Sequence, residues 1–158
     1  MERVVDILTK GRWAAGLAED SVRLKSDDRF RRRKRYVTTK GREFLLDLPA
    51  PRLLRDGDGL VLFSGKVVAV EAEEEDLLEV ASRDAADLIR LAWHLGNRHA
   101  SVEVIPGRLR LRDDGVTRRL LDGLGLNYSL VRAGFDPETG AATGPHTHGH
   151  STLDEVDA

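Results

Sequence analysis

The feature that most constrains this chain is a change of apolar periodicity close to residue 73. Before it, apolar residues come in short runs between turn signals: Val4 to Leu8, Phe44 to Leu48, Leu60 to Phe63 and Val67 to Val70. Such runs read as strands. Ser64-Gly65 joins the last two as a tight hairpin, Asp56-Gly57-Asp58-Gly59 is a second turn, and Pro49 and Pro51 exclude helix between their neighbours. No helical apolar stripe crosses residues 1–73, so this part is expected to be a small β-sandwich or barrel.

Beyond the acidic run Glu71 to Asp76, which reads as a link between domains, the pattern alternates. Leu77 to Val80 suggests a strand. Ala85, Leu88, Ala92 and Leu95, with Ile89 beside them, make the apolar face of a helix over about 83–95, capped by Ser82 or Asp84 and stopped by Gly96-Asn97. Val102 to Ile105 and Leu109 to Leu111 form a hairpin around Pro106-Gly107. A second helix over about 114–124 buries Val116, Leu120, Leu121 and Leu124 and ends at Gly125, and Tyr128 to Val131 closes the set. The order β-α-β-β-α-β is the ferredoxin-like, split βαβ arrangement, with both helices on one sheet face and the other face left for a partner. Residues 134–158 lack apolar periodicity and read as a disordered tail. The expectation is an α+β chain of two domains, 1–73 and 76–133, followed by that tail.

Composition narrows the chemistry. The 158 residues carry a formal net charge of -2, so no global positive excess advertises nucleic acid or a membrane surface. There is no cysteine, which removes disulfides and thiolate metal sites. The start, Met1-Glu2-Arg3-Val4-Val5-Asp6, lacks the apolar core of a signal peptide, and no apolar run approaches the ~20 residues of a membrane span. The expected location is the cytoplasm.

Three of the five histidines, His146, His148 and His150, fall within five tail residues. Neutral imidazole suits nickel, copper and zinc, and alternate residues on an adaptable backbone can bring several rings to one ion. Because the ligating form is neutral, such binding should fade in mild acid. His99 follows the helix stop. Alone it reads as a surface or capping histidine near a helix C-terminus, whereas on a symmetry axis two copies would supply two rings. His94 lies off the apolar stripe and reads as solvent-exposed or interfacial.

Two other functions compete. The basic run Arg29, Arg31, Arg32, Arg33, Lys34 and Arg35 could hold RNA electrostatically or dock an acidic protein. RNA binding is the weaker option, since ferredoxin-like RNA readers stack bases on sheet aromatics and Tyr128 alone is placed for that. The carboxylate pairs Asp56/Asp58 and Asp113/Asp114 could serve acid–base chemistry, but turn formation and helix capping explain them. No catalytic triad, phosphate loop or His-Glu-x-x-His is present, and the chain is not expected to be an enzyme.

The segment Leu91-Ala92-Trp93-His94-Leu95-Gly96-Asn97-Arg98-His99 resembles the signature of the UreE family of urease accessory proteins. Asp28-Arg29 with the following arginines, Thr39-Lys40-Gly41, Leu46-Asp47-Leu48-Pro49, Leu54-Arg55-Asp56-Gly57-Asp58, Leu124-Gly125 and Phe135 to Ala141 match further landmarks in order. The resemblance implies a homodimeric nickel chaperone with a partner-binding N-terminal domain and a ferredoxin-like dimerisation domain. It makes His99 the ligand at the dimer interface, with tail histidines completing or supplementing the site. It implies delivery of Ni2+ to the urease apoprotein through a complex with the accessory GTPase. Where some relatives have an Asp-His-Val at the start of the second helix, this chain has Asp114-Gly115-Val116, so that auxiliary histidine is absent.

Overall fold

A computed structural model describes residues 1–139. Its first part is one curled sheet: β1 (Glu2–Leu8), β2 (Ala18–Leu24), β3 (Phe30–Val37), β4 (Glu43–Leu53), β5 (Gly59–Leu62) and β6 (Val67–Ala72), in the spatial order β2-β6-β5-β1-β4-β3. Two pairs, β1 with β4 and β2 with β6, are parallel. The two ends of the sheet approach each other, since β2 and β3 are joined by the single helical turn α1 (Ser26–Arg29) and the Thr39 amide donates to the Ser21 carbonyl at 2.7 Å. Curling wraps the inner faces around Val22, Tyr36, Phe44, Leu46, Leu60, Leu62, Val68 and Val70, all buried. Alternation of side chains along each strand is what brings these residues to one side.

Two of these strands are absent from the apolar pattern. β2 and β3 are rich in charged residues and bury only alternate side chains, Asp20, Val22 and Leu24 in one and Tyr36 in the other. Their place in the sheet comes from partners, not propensity. β4 continues through Pro49 and Pro51 because the ladder opens there: Arg33 pairs with Asp47 and Arg31 with Arg52, leaving the prolines without ladder duty.

The second part contains β7 (Glu74–Ala81), α2 (Ala85–Asn97), β8 (Val102–Ile105), β9 (Arg108–Arg112), α3 (Gly115–Leu124) and β10 (Ser129–Gly134). The sheet is antiparallel throughout, in the order β10-β7-β9-β8, which is the split βαβ arrangement. Leu78, Val80, Leu109 and Leu111 face Leu91 and Leu95 of α2 and Leu120 and Leu121 of α3. Asp84 caps α2 by accepting from the Ala86 amide at 2.9 Å, and Asp114 caps α3 by accepting from Thr117 at 2.7 Å.

Several expectations are corrected. The acidic run is not a linker: Glu71 and Ala72 end β6, Glu74 opens β7, and only Glu73 lies between. Cations offset the like charges, with Arg23 on Glu71 at 3.1 Å and Arg132 on Asp76 at 2.9 Å. Ile89 and Val116 are not core residues but are 70% and 54% exposed, because the buried stripes run through Leu91 and Leu95 and through Thr117, Leu120 and Leu121 instead.

Nor is the sheet face away from the helices free. Ser26 of α1 donates its amide and hydroxyl to Glu75 at 2.9 and 3.1 Å, and Arg112 reaches Ser26 and Asp27 at 2.8 Å each. The chain after β10 also crosses this face. Phe135 is fully buried beneath the Arg112 guanidinium, 5.5 Å from its ring centroid. The Asp136 amide donates to Glu103 of β8 at 3.3 Å, and the Glu138 amide to the Val102 carbonyl at 2.7 Å. Residues 135–139 are therefore built into the fold; the rest of the expected disordered tail lies outside the described residues.

Candidate functional site

The C-terminal end of α2 combines an exposed face with an unusual backbone. Arg98 closes the helix, and His99 follows with φ 54°, the one non-glycine residue at positive φ among those described. The His99 amide donates to Gly96 at 3.2 Å and the Ala100 amide to Leu95 at 3.0 Å. This is a Schellman closure with histidine in the left-handed position that glycine usually takes. The sequence suggested that Gly96-Asn97 stops the helix. Instead both residues are helical, and the left-handed turn falls on His99. A Cβ in that conformation costs about 1 kcal/mol relative to glycine. The exposed His99 side chain gains no buried contact that would offset this cost. Strain kept at a ligand-type residue on the surface is a pointer to function.

His94 sits one turn earlier, half-buried, its ring edge-on to Trp93 with centroids 5.0 Å apart. Trp93 is 64% exposed and lies one turn from Ile89, so α2 presents an apolar stripe to solvent on the way to His99. The sequence does not announce this stripe, because Ile89 has the spacing of a core residue. Gly115 and Val116 start α3 at the same end of the sheet, because β8 begins where β9 ends, with Val102 opposite Leu111. His146, His148 and His150 lie outside the described residues. Among the described residues, no three metal-ligating side chains converge.

The basic run divides. Arg29, expected to be a docking residue, is fully buried and is corrected to a structural one. Its guanidinium donates to the carbonyls of Leu24 and Leu54 at 3.2 Å each and to that of Phe135. Burial lowers its pKa, partly countered by Asp136 and Glu75. Arg31 lies 3.8 Å from Asp28, which also binds Lys34. Arg32, Arg33 and Arg35 are exposed and have no carboxylate partner among the described residues.

The carboxylate pairs have structural duties. Asp58 is buried and accepts from the Lys10 and Arg55 amides at 2.9 and 2.8 Å, and Asp56 accepts from Ala72 at 2.8 Å. Asp113 takes two hydrogen bonds from Arg118, at 2.7 and 2.8 Å, which hold its carboxyl below the ordinary value. Each acid is already engaged in a turn, a cap or an ion pair.

The described residues form two sheet-based parts, the second of which carries an exposed histidine at positive φ at the end of α2. Comparison with known proteins makes this specific. The model of the UreE urease accessory protein N-terminal domain matches residues 1–73 and that of the C-terminal domain residues 75–157. The urease accessory protein UreE of Bradyrhizobium sp. strain ORS 278 is 46% identical over 150 residues, 94% of this chain and 71% of that protein. Those of Ruegeria pomeroyi and Rhodobacter capsulatus are each 41% identical, over 92% and 95% of this chain and 95% and 92% of theirs. The chain belongs to the UreE family of urease accessory proteins, a family of accessory chaperones and not of enzymes. Among the described residues no helix is long and apolar enough to cross a membrane.

Proposed function

We propose that this chain is a cytoplasmic nickel carrier for urease maturation, acting as a homodimer in which the C-terminal domains meet along α2 and His99 from each copy binds one Ni2+. The observation that carries this reading is the exposed His99 at φ 54°, at the end of the Ile89–Trp93 stripe. A two-fold axis beside that stripe would cover exposed apolar surface and pair the two rings. Two imidazoles underfill the coordination sphere of nickel, so water and the tail histidines His146, His148 and His150 complete it. His94 is an auxiliary position. Zinc and copper compete for the same donors. An open, incomplete site suits a carrier, which must release its ion.

In this reading the cargo passes to the urease apoprotein through a complex with the accessory GTPase. The N-terminal domain docks that machinery with Arg31, Arg32, Arg33 and Arg35; Arg29 is buried and takes no part. A nucleic-acid role has less support: on the strand that carries the exposed arginines Tyr36 is buried, and Phe30 is the one exposed ring, too few for a stacking platform.

Nickel titration by calorimetry, with mass measured in solution, tests the reading. A dimer before metal is added, one tight ion per dimer, and a monomer for Trp93→Asp are expected. A parent that is monomeric at micromolar concentration, or binds no nickel, would sink it.

A further inference from the structure

From the outer face of the first sheet we infer a docking surface for an acidic polypeptide segment that carries an apolar side chain: Phe63 is the anchor, and Arg3, Arg33 and Arg35 receive the carboxylates. The inference deepens the docking role proposed above for the first domain. It needs neither the metal site nor the pairing of α2.

The strand registers put these residues side by side. Val4 pairs with Leu62 and both are buried, so their neighbours Arg3 and Phe63 lie on the outside. The Phe63 amide donates to the Arg3 carbonyl at 2.9 Å. Arg3 pairs with Leu45 of β4, and Leu45 with Arg35 of β3. One row therefore crosses the outer face from Phe63 through Arg3 and Leu45 to Arg35, over three strand spacings or about 14 Å. Arg33 stands in the next row, opposite Asp47. Arg3, Arg33 and Arg35 are exposed, and no ion pair among the described residues engages them. Phe63 is 83% exposed, more than any other large apolar side chain among the described residues. With the exposed Met1 and Val5 it borders one open hollow of about 640 Å³, which Arg3 and Asp47 also line.

Folding does not require a phenylalanine at this place. Phe63 opens the turn between β5 and β6, in which the Leu62 amide donates to Lys66 and the Gly65 amide to Leu62, at 2.8 Å each, with Gly65 at φ 86°. Such turn positions suit polar residues. Ser64 ties the turn to β1 through Glu2 at 3.0 Å, so the ring stands on backbone that loses little freedom when a partner arrives. The charge pattern selects the partner. Asp47 and Glu43 lie along β4 on the same face as the arginines and interrupt the positive field. A continuous phosphate backbone would meet both carboxylates, whereas a protein segment can place its own carboxylates at the arginines and spare the rest. One ring among Met1 and Val5 receives an apolar side chain but offers no series of platforms for bases.

The test uses the full chain and a fluorescent peptide of alternating Glu and Leu, read by anisotropy. Saturable binding with a Kd below about 1 mM is expected. Phe63→Ser, and Arg33→Ser with Arg35→Ser, should each weaken it about tenfold. The arginine variant should also flatten its salt dependence. Leu17→Ser removes another exposed apolar side chain of the same domain, outside the hollow, and should change nothing. All these side chains are exposed, and circular dichroism checks that each variant is folded. Absence of saturation overturns the inference, as does equal binding of a peptide with Gln for Glu or Ser for Leu. A Phe63→Ser variant that binds as well as the parent overturns it too. Tighter binding of a uridine oligonucleotide of the same length makes the face a nucleic-acid surface instead, and a fall in solution mass for Phe63→Ser makes it a contact between copies; either result overturns the proposal. Nickel titration of the same variants keeps the two readings apart. Their metal binding should match the parent's, and a parent that binds no nickel would remove the carrier reading while leaving the peptide result to decide this one.

Discussion

The two helices of the second domain end in the same hydrogen-bonded motif, with different residues at its critical point. After α3, Gly125 takes φ 67°, its amide donates to Asp122 at 3.1 Å, and Leu126 donates to Leu121 at 3.0 Å. After α2, the equivalent bonds run from His99 to Gly96 and from Ala100 to Leu95, and a histidine takes φ 54°. The flanking apolar contacts also correspond, with Leu126 and Ala100 both packed against the core. One terminus follows backbone preference. The other departs from it by about 1 kcal/mol, although glycine would close the helix equally well. In the proposed reading the difference separates a residue that terminates a helix from one kept for its side chain.

The strongest way to break this comparison is His99→Gly. It should preserve the helix end and lower nickel affinity by about a hundredfold, ~2.7 kcal/mol, in a calorimetric titration. His94→Ala, on the same helix but off its terminus, should change affinity by no more than about threefold. A glycine variant that keeps the tight site would leave His99 as a helix terminator and nothing more.

Stability should move in opposite directions at the two ends. His99→Gly removes the left-handed side chain and should stabilise the fold by about 1 kcal/mol, read from the midpoint of urea unfolding. Gly125→His introduces the same strain and should cost about 1 kcal/mol; no atom lies within 4 Å of the Cβ it would add, so conformation alone is tested. Equal midpoints for both variants and the parent would mean that this position carries no strain.

The smallest effect concerns the sheet edge beside the end of α2. Burial raises the Glu103 carboxyl above its ordinary value of 4.5, against the opposing Asp136 amide and Arg110 charge. A carboxyl raised in the folded state contributes stability that is full below 4.5 and lost as pH rises through its folded value. Glu103→Gln should lack that decline, so its stability relative to the parent should rise as pH climbs from 4 toward 7. A gap that stays constant with pH would mean that burial of the carboxylate carries no such cost.

Much of this molecule is readable where side-chain pattern and local geometry coincide. Leu88, Ala92 and Leu95 recur at helical spacing and pack on the core, although Ala85 of the same stripe is exposed and Leu91 is buried beside them, and Asp84 and Asp114 precede their helices as caps. The signature ending in His99 also points to the candidate site before any coordinates exist. What escaped were residues whose role depends on remote partners. Ile89 has the spacing of a core residue, but α2 has only one sheet to lie on, and Ile89 faces away from it. Arg29 belongs by composition with Arg31 to Arg35, and no local signal distinguishes the buried member of the run.

By itself, therefore, the sequence determined the two-part organisation, the order of elements in the second part, and the histidines worth testing. These follow from periodicity and capping, which act over a few residues and are written into neighbouring positions. Only the tertiary structure decided that the charged segments 18–24 and 30–37 are strands, that Arg29 and Arg55 fasten residues 135–139 across the second sheet, and that left-handed backbone falls on His99 and not on Gly96 or Asn97. Segment 18–24 and the fastening of residues 135–139 depend on partners more than 40 residues away, and segment 30–37 on the hairpin it forms with β4, none of which an apolar pattern in the segment itself specifies. The third depends on how far α2 must run before Ala100 can turn back onto the core.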